Sequence, residues 1–517
     1  MKPESFLRGA VVLTVAGIVV KLLGAVYRIP FTRIVGSEGI GLYQMAYPVY
    51  TALLALSTAG IPVALSFLVA EKSAAGDRQG ARQVFAVSLI FLVFLGGFLA
   101  LGLYLLSPYL AERVLGDSRA YYSLLAVSPA IFVISVAAAF RGYFQGWRMM
   151  WPTAISEVVE QTVRVGTVLL AAQALMPRGV EFAAAGAASG AFTGGCAGLA
   201  FLILVFLWFK RQRRPVGGLR RERPLRFDGQ ATRHLKRLVA YAFPISAGSL
   251  VLPLTQVIDT VIIPNRLQAA GYSIQSATSQ FGQLSGMAGT VVYLPAALTV
   301  SIAMALVPHL ASAVSRNDRS EVNRRVSTAL RVTFILCLPA AAGLMLLAAP
   351  IMELLFDDAG AGAVTAWLAP AALFTGLQQT TAGALQGIGN TWLPVVNLLV
   401  GCLVKIFCNY YLTVIPGFGI KGAALGSALG FLLVFLLNLF CLTRLTDYRP
   451  RISRLIRPLL AVTMMVIVIP AVCGALAPLG NLPATGLTIL CGAFCYFAVL
   501  LATGEIRVYE MRYFFRK

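Results

Sequence analysis

One stretch of this chain occurs twice, and that repetition narrows the folds open to it more than any other feature. The run Gly142-Tyr-Phe-Gln145-Gly146-Trp-Arg-Met-Met-Trp151 has a counterpart, Gly383-Ala-Leu-Gln386-Gly387-Ile-Gly-Asn-Thr-Trp392, 241 positions later. Both read Gly-x-x-Gln-Gly, then four residues, then Trp. At the same offset Pro129 falls on Pro370, Asp77-Arg78 on Asp318-Arg319, and Arg164 on Lys405. Small-residue-rich apolar segments resemble one another by composition alone, but these matches include Gln, Trp, Asp and Arg. Agreement at one offset across several loops and helices points to an internal duplication, and so to two lobes.

Composition sets the class. Of 517 residues, 58% are hydrophobic and 12% charged, too apolar for a soluble chain of this length. The expected fold is an all-α polytopic membrane protein. Fourteen apolar segments reach spanning length, at roughly 6–28, 40–70, 82–107, 120–142, 152–176, 182–209, 238–264, 283–310, 327–350, 363–387, 393–414, 420–443, 456–477 and 484–503. Residues 1–209 are then a first six-helix lobe, 210–237 a basic cytoplasmic linker and 238–443 a second six-helix lobe. Residues 444–517 hold an appended helix pair and a basic tail. Six crossings per copy is even, so both copies enter from one side and the repeat is parallel. The N-terminus starts basic and apolar like a signal peptide, but Lys21 interrupts the run, so it reads as the first transmembrane helix.

The net charge of +22 would suggest nucleic acid in a soluble protein. Here it reads as topology. With the N-terminus in the cytoplasm, 32 of the 42 Lys and Arg fall on the cytoplasmic side, 7 on the outer side, and Lys21, Arg164 and Lys405 within the membrane. That bias places both termini inside, with basic loops facing the anionic inner leaflet and no nucleic-acid partner.

Charges at bilayer depth are the functional candidates, because each is costly unless it faces a cavity or a partner. Lys21 and Arg28 lie seven residues apart, close to two helical turns, on one face. Glu157, Glu160 and Arg164 share a face of the fifth segment, with Glu160 and Arg164 spaced to pair. Asp259 in the seventh segment and Lys405 in the eleventh are a candidate pair across the second lobe. Two readings follow from these residues: a cationic, water-filled cavity for an anionic substrate, or ion pairs that bind helices to one another. Prolines inside segments, at 48, 62, 244, 253, 295, 339 and 470, favour kinks. Glycine-rich runs at 186–198 and 422–430 permit close helix approach.

Several functions lack their residues. No G-x-x-x-x-G-K-[ST] loop is present, which excludes nucleotide hydrolysis of the P-loop kind. The eight Cys lie in apolar runs without a C-x-x-C pair, and His234 and His309 stand alone near helix ends, so neither a metal site nor a cofactor is expected. No nucleophile, base and acid share a depth, so the chain does not read as an enzyme.

Two six-helix lobes plus a terminal pair resemble the multidrug/oligosaccharidyl-lipid/polysaccharide (MOP) exporter superfamily. Within it, Lys21-Leu-Leu-Gly24-Ala-Val-Tyr-Arg28-Ile-Pro30-Phe-Thr-Arg33-Ile-Val-Gly36 is similar to the first helix of the MurJ-type lipid II flippases. Gly39-Ile-Gly-Leu-Tyr-Gln-Met-Ala-Tyr-Pro48, Ala59-Gly-Ile-Pro62-Val-Ala, and Phe281-Gly-Gln-Leu-Ser-Gly-Met-Ala288 with Leu306-Val-Pro308 look like the stage V sporulation protein B branch. The resemblance implies alternating-access flipping of an undecaprenyl-diphosphate-linked sugar precursor for spore cortex across the bacterial cytoplasmic membrane. It also implies that Lys21 and Arg28 serve the diphosphate. The pattern departs from MurJ in two places: the second segment carries no arginine between Tyr50 and Ala70, and Thr290 or a neighbour stands where the eighth helix would carry one. A cation-coupled multidrug exporter is the alternative within the superfamily, with Glu157, Glu160 and Asp259 taking a proton or sodium. A membrane scaffold recruiting cell-wall synthesis proteins is the alternative outside it.

Overall fold

The computed structural model describes residues 6–58, 60–212, 229–446, 448 and 455–505. Most of the expected linker, 213–228, and the basic tail, 506–517, lie outside the described residues. The described chain is helical, without a strand, and divides into two compact units, Met1–Val261 and Ile262–Lys517.

The first unit contains α1 (Phe6–Val26), α2 (Arg28–Thr58), α3 (Ile61–Ala74), α4 (Arg78–Tyr109), α5 (Ala120–Gly146), α6 (Trp151–Leu175), α7 (Val180–Gln212) and most of α8 (Gly229–Ala269). Helical hydrogen bonds continue across Tyr27, from its N–H to the Leu23 carbonyl at 3.2 Å and from Phe31 N–H to its carbonyl at 3.1 Å. The first crossing therefore extends beyond residue 28, as far as Gly36. There φ is +67°, a conformation that glycine reaches without the Cβ clash other residues incur, and the backbone bends. The chain leaves α2 at Thr58 and re-enters α3 with Pro62 in the first turn, so the second apolar segment is two helices. Pro62 and Pro295 thus start helices, where a missing N–H costs nothing, and do not kink them. Asp77 caps α4, accepting from the Gly80 N–H at 2.7 Å. α5 packs on α3, α4 and α7, and α6 packs on α7. The core joins Leu65, Phe85, Phe140, Tyr143 and Phe144, with the Phe85 and Tyr143 rings 4.6 Å apart.

In the second unit follow α9 (Ile274–Phe281), a π-helical stretch Gly282–Ala288, α10 (Gly289–Val292), α11 (Leu294–Ser315), α12 (Arg319–Leu346), α13 (Ala348–Phe356), α14 (Ala361–Leu368), α15 (Pro370–Gly387), α16 (Leu393–Leu412), α17 (Ile420–Thr446), α18 (Ile456–Leu476) and α19 (Asn481–Ala502). The duplication is visible element by element. Asp318 caps α12, accepting from the Glu321 N–H at 2.9 Å, as Asp77 caps α4. α15 packs on α11, α12 and α17, and α16 on α17, repeating the α5 and α6 pairings. The terminal pair α18 and α19 has no equivalent and packs on α12.

Among the described residues, eleven helical runs are long and apolar enough to cross a membrane, against the fourteen segments counted in sequence. α1, α2 and α3 count together as one of these runs, Val11–Ala74, spanning the first two segments. α6 is absent from the eleven because Glu157, Glu160 and Arg164 depress its hydropathy. The tenth segment is divided between α14 and the glutamine-bearing α15, of 18 residues. Large apolar side chains such as Phe94 and Phe98, both 73% exposed, cover the outside of α4, as expected for contact with lipid tails.

Candidate functional site

Arg141, Glu160 and Arg164 of the first unit form one side-chain network. Glu160 on α6 is its centre. One carboxylate oxygen accepts from Arg164 Nη2 at 2.8 Å, and the other accepts from Arg141 Nη2 at 2.7 Å. Arg141 on α5 also donates through Nε to Ser156 Oγ at 3.2 Å. All three charged side chains are between 12% and 14% exposed, so the cluster is shielded yet within reach of a surface. Buried charges survive where each has a hydrogen-bonded partner. The i, i+4 spacing of Glu160 and Arg164 anticipated their pair.

Beside this network runs a row of tyrosines from α2. Tyr43, Tyr47 and Tyr50 follow at i, i+4 and i+7, with ring centroids 5.5 Å and 5.7 Å apart. The Tyr27 hydroxyl, from the turn between α1 and α2, lies 3.3 Å from that of Tyr43. Arg28 opens α2, next to Tyr27 and within electrostatic range of Tyr43 and Tyr47. Arg164 faces the same row from α6, beside Tyr43, Tyr47 and Tyr50. α1 reaches α6 at Gly24, where a Cβ would sit 3.4 Å from the Gln161 amide nitrogen. Two guanidinium groups from different helices therefore lie near one aromatic row.

Lys21 is exposed on α1, between Ile18 and Leu22, which are more than half exposed, and makes no ion pair among the described residues. Arg28, two turns on, is partly buried. Glu157 is partly buried near Arg141 and Glu160 but forms no ion pair among the described residues. Asp259 belongs to the first compact unit and Lys405 to the second, where Lys405 packs beside Gly430 on α17. No three His, Cys, Asp or Glu converge on a metal-sized site among the described residues.

Arg141, Ser156 and the tyrosine row were missed by the sequence reading. Arg141 sat at the edge of the fourth segment and was assigned to a cytoplasmic loop; it lies inside α5 and turns inward to Glu160. The i, i+4, i+7 spacing of the tyrosines was the available signal. The second unit does not repeat the network: 241 residues after Arg28, Tyr47, Arg141 and Glu160 stand Ala269, Ala288, Ala382 and Gly401. The polar site is a specialisation of the first lobe on a duplicated frame.

Residues 6–314 match a sequence family described as polysaccharide biosynthesis protein. The chain belongs to this family. Residues 283–411 also match the MatE family. Stage V sporulation protein B of Bacillus subtilis (strain 168) is 32% identical over 443 residues, covering 85% of this chain and 83% of its own. The lipid II flippase MurJ of the same organism is 29% identical over 492 residues, covering 91% of this chain and 87% of its own. A solved structure of lipid II flippase MurJ, in an inward closed conformation, superposes with a TM-score of 0.69 at 17% identity, over 96% of this chain and 100% of that one. The chain is thus a multi-pass membrane protein of the MOP superfamily, a flippase or transporter by family and not an enzyme.

Proposed function

We propose that the chain carries a lipid-linked sugar diphosphate, a peptidoglycan precursor of the lipid II type, across the bacterial cytoplasmic membrane by alternating access, for spore cortex synthesis. The observation that carries this reading is the placement of Arg28 and Arg164 on one tyrosine row. A cation at bilayer depth costs about 2.5–3.5 kcal/mol on insertion scales. Three arginines (28, 141 and 164) against two glutamates (157 and 160) leave one positive charge in surplus. An anionic headgroup offsets that surplus, whereas a cationic drug adds to it. The polar row suits the headgroup and the apolar helix surfaces suit the prenyl tail. The names of the relatives, a lipid II flippase and a sporulation protein, agree in substrate and setting. The excess of Lys and Arg in alternate loops supports cytoplasmic termini. Alternating access needs a driving gradient, of protons, sodium or membrane potential, and no cofactor.

The test is precursor exposure in cells depleted of their own flippases, read with an outside-acting enzyme that cleaves only translocated lipid II. The intact chain restores cleavage, Arg28→Ala lowers it at least about ten-fold, and Lys21→Ala, exposed and apart from the row, retains most of it. A stably inserted chain that exposes no precursor overturns the lipid II reading. The half-buried Glu157, free of an ion pair among the described residues, favours the second reading of a proton- or sodium-coupled exporter, supported by the MatE match. In that case Glu157→Gln abolishes gradient-driven efflux from vesicles while Arg28→Ala does not.

A further inference from the structure

The two arginines bound to Glu160 are held unequally. Arg141 is engaged through two nitrogens, Nη2 to Glu160 and Nε to Ser156. Arg164 is engaged through Nη2 alone, and its Nε is buried with no hydrogen-bond partner. The buried Tyr50 hydroxyl, on a residue 1% exposed, lies beside the same guanidinium. Native proteins leave few buried polar atoms unsatisfied, and the spare Arg164 Nε–H is a donor that a ligand can engage. A guanidinium offers five donors in a planar fork, suited to phosphate oxygens.

Resting on the anion-site reading above, we infer that Arg164 is a switchable ligand for the second phosphate of a diphosphate, held by Glu160 until the substrate arrives. Arg28, on the tyrosine row, binds the first phosphate. Arg164 then exchanges Glu160 for the second, with the Tyr50 hydroxyl donating beside it. Stripping one partner from a buried ion pair is ordinarily prohibitive, because a bare charge remains. Here Arg141 keeps Glu160 compensated, so the exchange strands no charge. Glu160 is a positioning residue that acts through Arg164 and touches no substrate.

The purified full chain would be titrated with a short-chain prenyl diphosphate and the matching monophosphate, in wild type, Arg164→Ala, Glu160→Gln and the double variant. Wild type binds the diphosphate about ten-fold tighter than the monophosphate, and Arg164→Ala removes that preference while keeping monophosphate affinity. Glu160→Gln tightens the diphosphate about ten-fold in the wild-type background and not in Arg164→Ala. A Glu160→Gln effect that persists without Arg164 overturns the exchange, since it reports only a general field. An unchanged preference in Arg164→Ala overturns it equally. Should Arg164→Ala fail to fold, Arg164→Lys keeps the charge without the fork, and a retained preference there counts against the inference. Wild type that binds neither probe refutes the anion site itself, an outcome distinct from a site that binds both probes alike.

Discussion

The Cβ that Gly146 lacks would fall 2.8 Å from the carbonyl oxygen of Ser66 and 2.6 Å from the Val69 Cβ. At the shared offset of 241, a Cβ on Gly387 would meet the Val307 carbonyl at 3.1 Å and the Leu310 Cβ at 2.9 Å. The last glycine of each Gly-x-x-Gln-Gly run lets α5 press on α3 and α15 on α11. Duplication has preserved the contact partner by partner.

Alanine at these glycines should therefore destabilise, and unequally. Overpacking a close helix crossing costs about 1–3 kcal/mol. Gly146→Ala meets both atoms at under 3.0 Å, Gly387→Ala only one, so Gly146→Ala loses more. Gly166→Ala, in α6 with open space around it, should be neutral or slightly stabilising. Thermal unfolding followed by thiol reporter dyes ranks the three; an equal drop for all of them contradicts the packing account.

A second repeat contact has exchanged its small and large partners. In the first unit a Cβ on Gly96 would lie 2.7 Å from the Ser135 Cβ; at the offset positions Cys337 is the larger residue and a Cβ on Gly376 would lie 2.8 Å from its sulfur. Gly376→Ser should destabilise by about 1–3 kcal/mol, and adding Cys337→Gly, which recreates the first-lobe arrangement, should recover part of the loss. Strict additivity of the two substitutions in unfolding measurements would rule the exchange out.

The fold was legible because its signals are local or periodic: apolar length, Lys and Arg bias, and side chains repeating at one offset. Glu160 with Arg164 was legible for the same reason, as an i, i+4 pair. Arg141 was not, because its contact with Glu160 spans two helices and its position at a segment edge resembles a loop. Lys21 and Arg28 share a helical face by spacing, but only the fold shows that α2 tyrosines stand near Arg28 while Lys21 stays exposed. The break at Gly36 depends on a backbone angle that composition does not encode.

Acid should loosen the α3–α4 turn. The Gly80 N–H, and then Lys72 at 3.2 Å, hold the Asp77 carboxyl below its ordinary range. A depressed carboxylate stabilises the fold fully above the unfolded value near 3.9, and the contribution fades as pH falls through the lower folded value. Asp77→Asn keeps a competent cap but cannot titrate. Wild type should lose its advantage over Asp77→Asn below about pH 4 in urea or thermal melts, whereas a constant gap down to pH 2 would show that the carboxylate charge contributes nothing.

The terminal helix pair should behave as a fixed part of the second unit. Glu505, 4% exposed, accepts from Arg331 Nε at 2.6 Å and lies 3.4 Å from Arg457 Nη1, joining α12 to both ends of the pair. Tyr496 donates to the Ile335 carbonyl at 3.0 Å, and Asn481 to the Pro350 carbonyl at 3.3 Å. These ties anchor α19 to its own unit near both of its ends and along its length. Glu505→Gln leaves two arginines facing a neutral amide, and with Arg331 a third exposed the expected loss is about 1–3 kcal/mol. Hydrogen exchange should rise in α18 and α19 first, with α5 and α6 of the first unit unchanged. Uniform exchange across the chain would mean that Glu505 contributes to global folding and does not secure the pair.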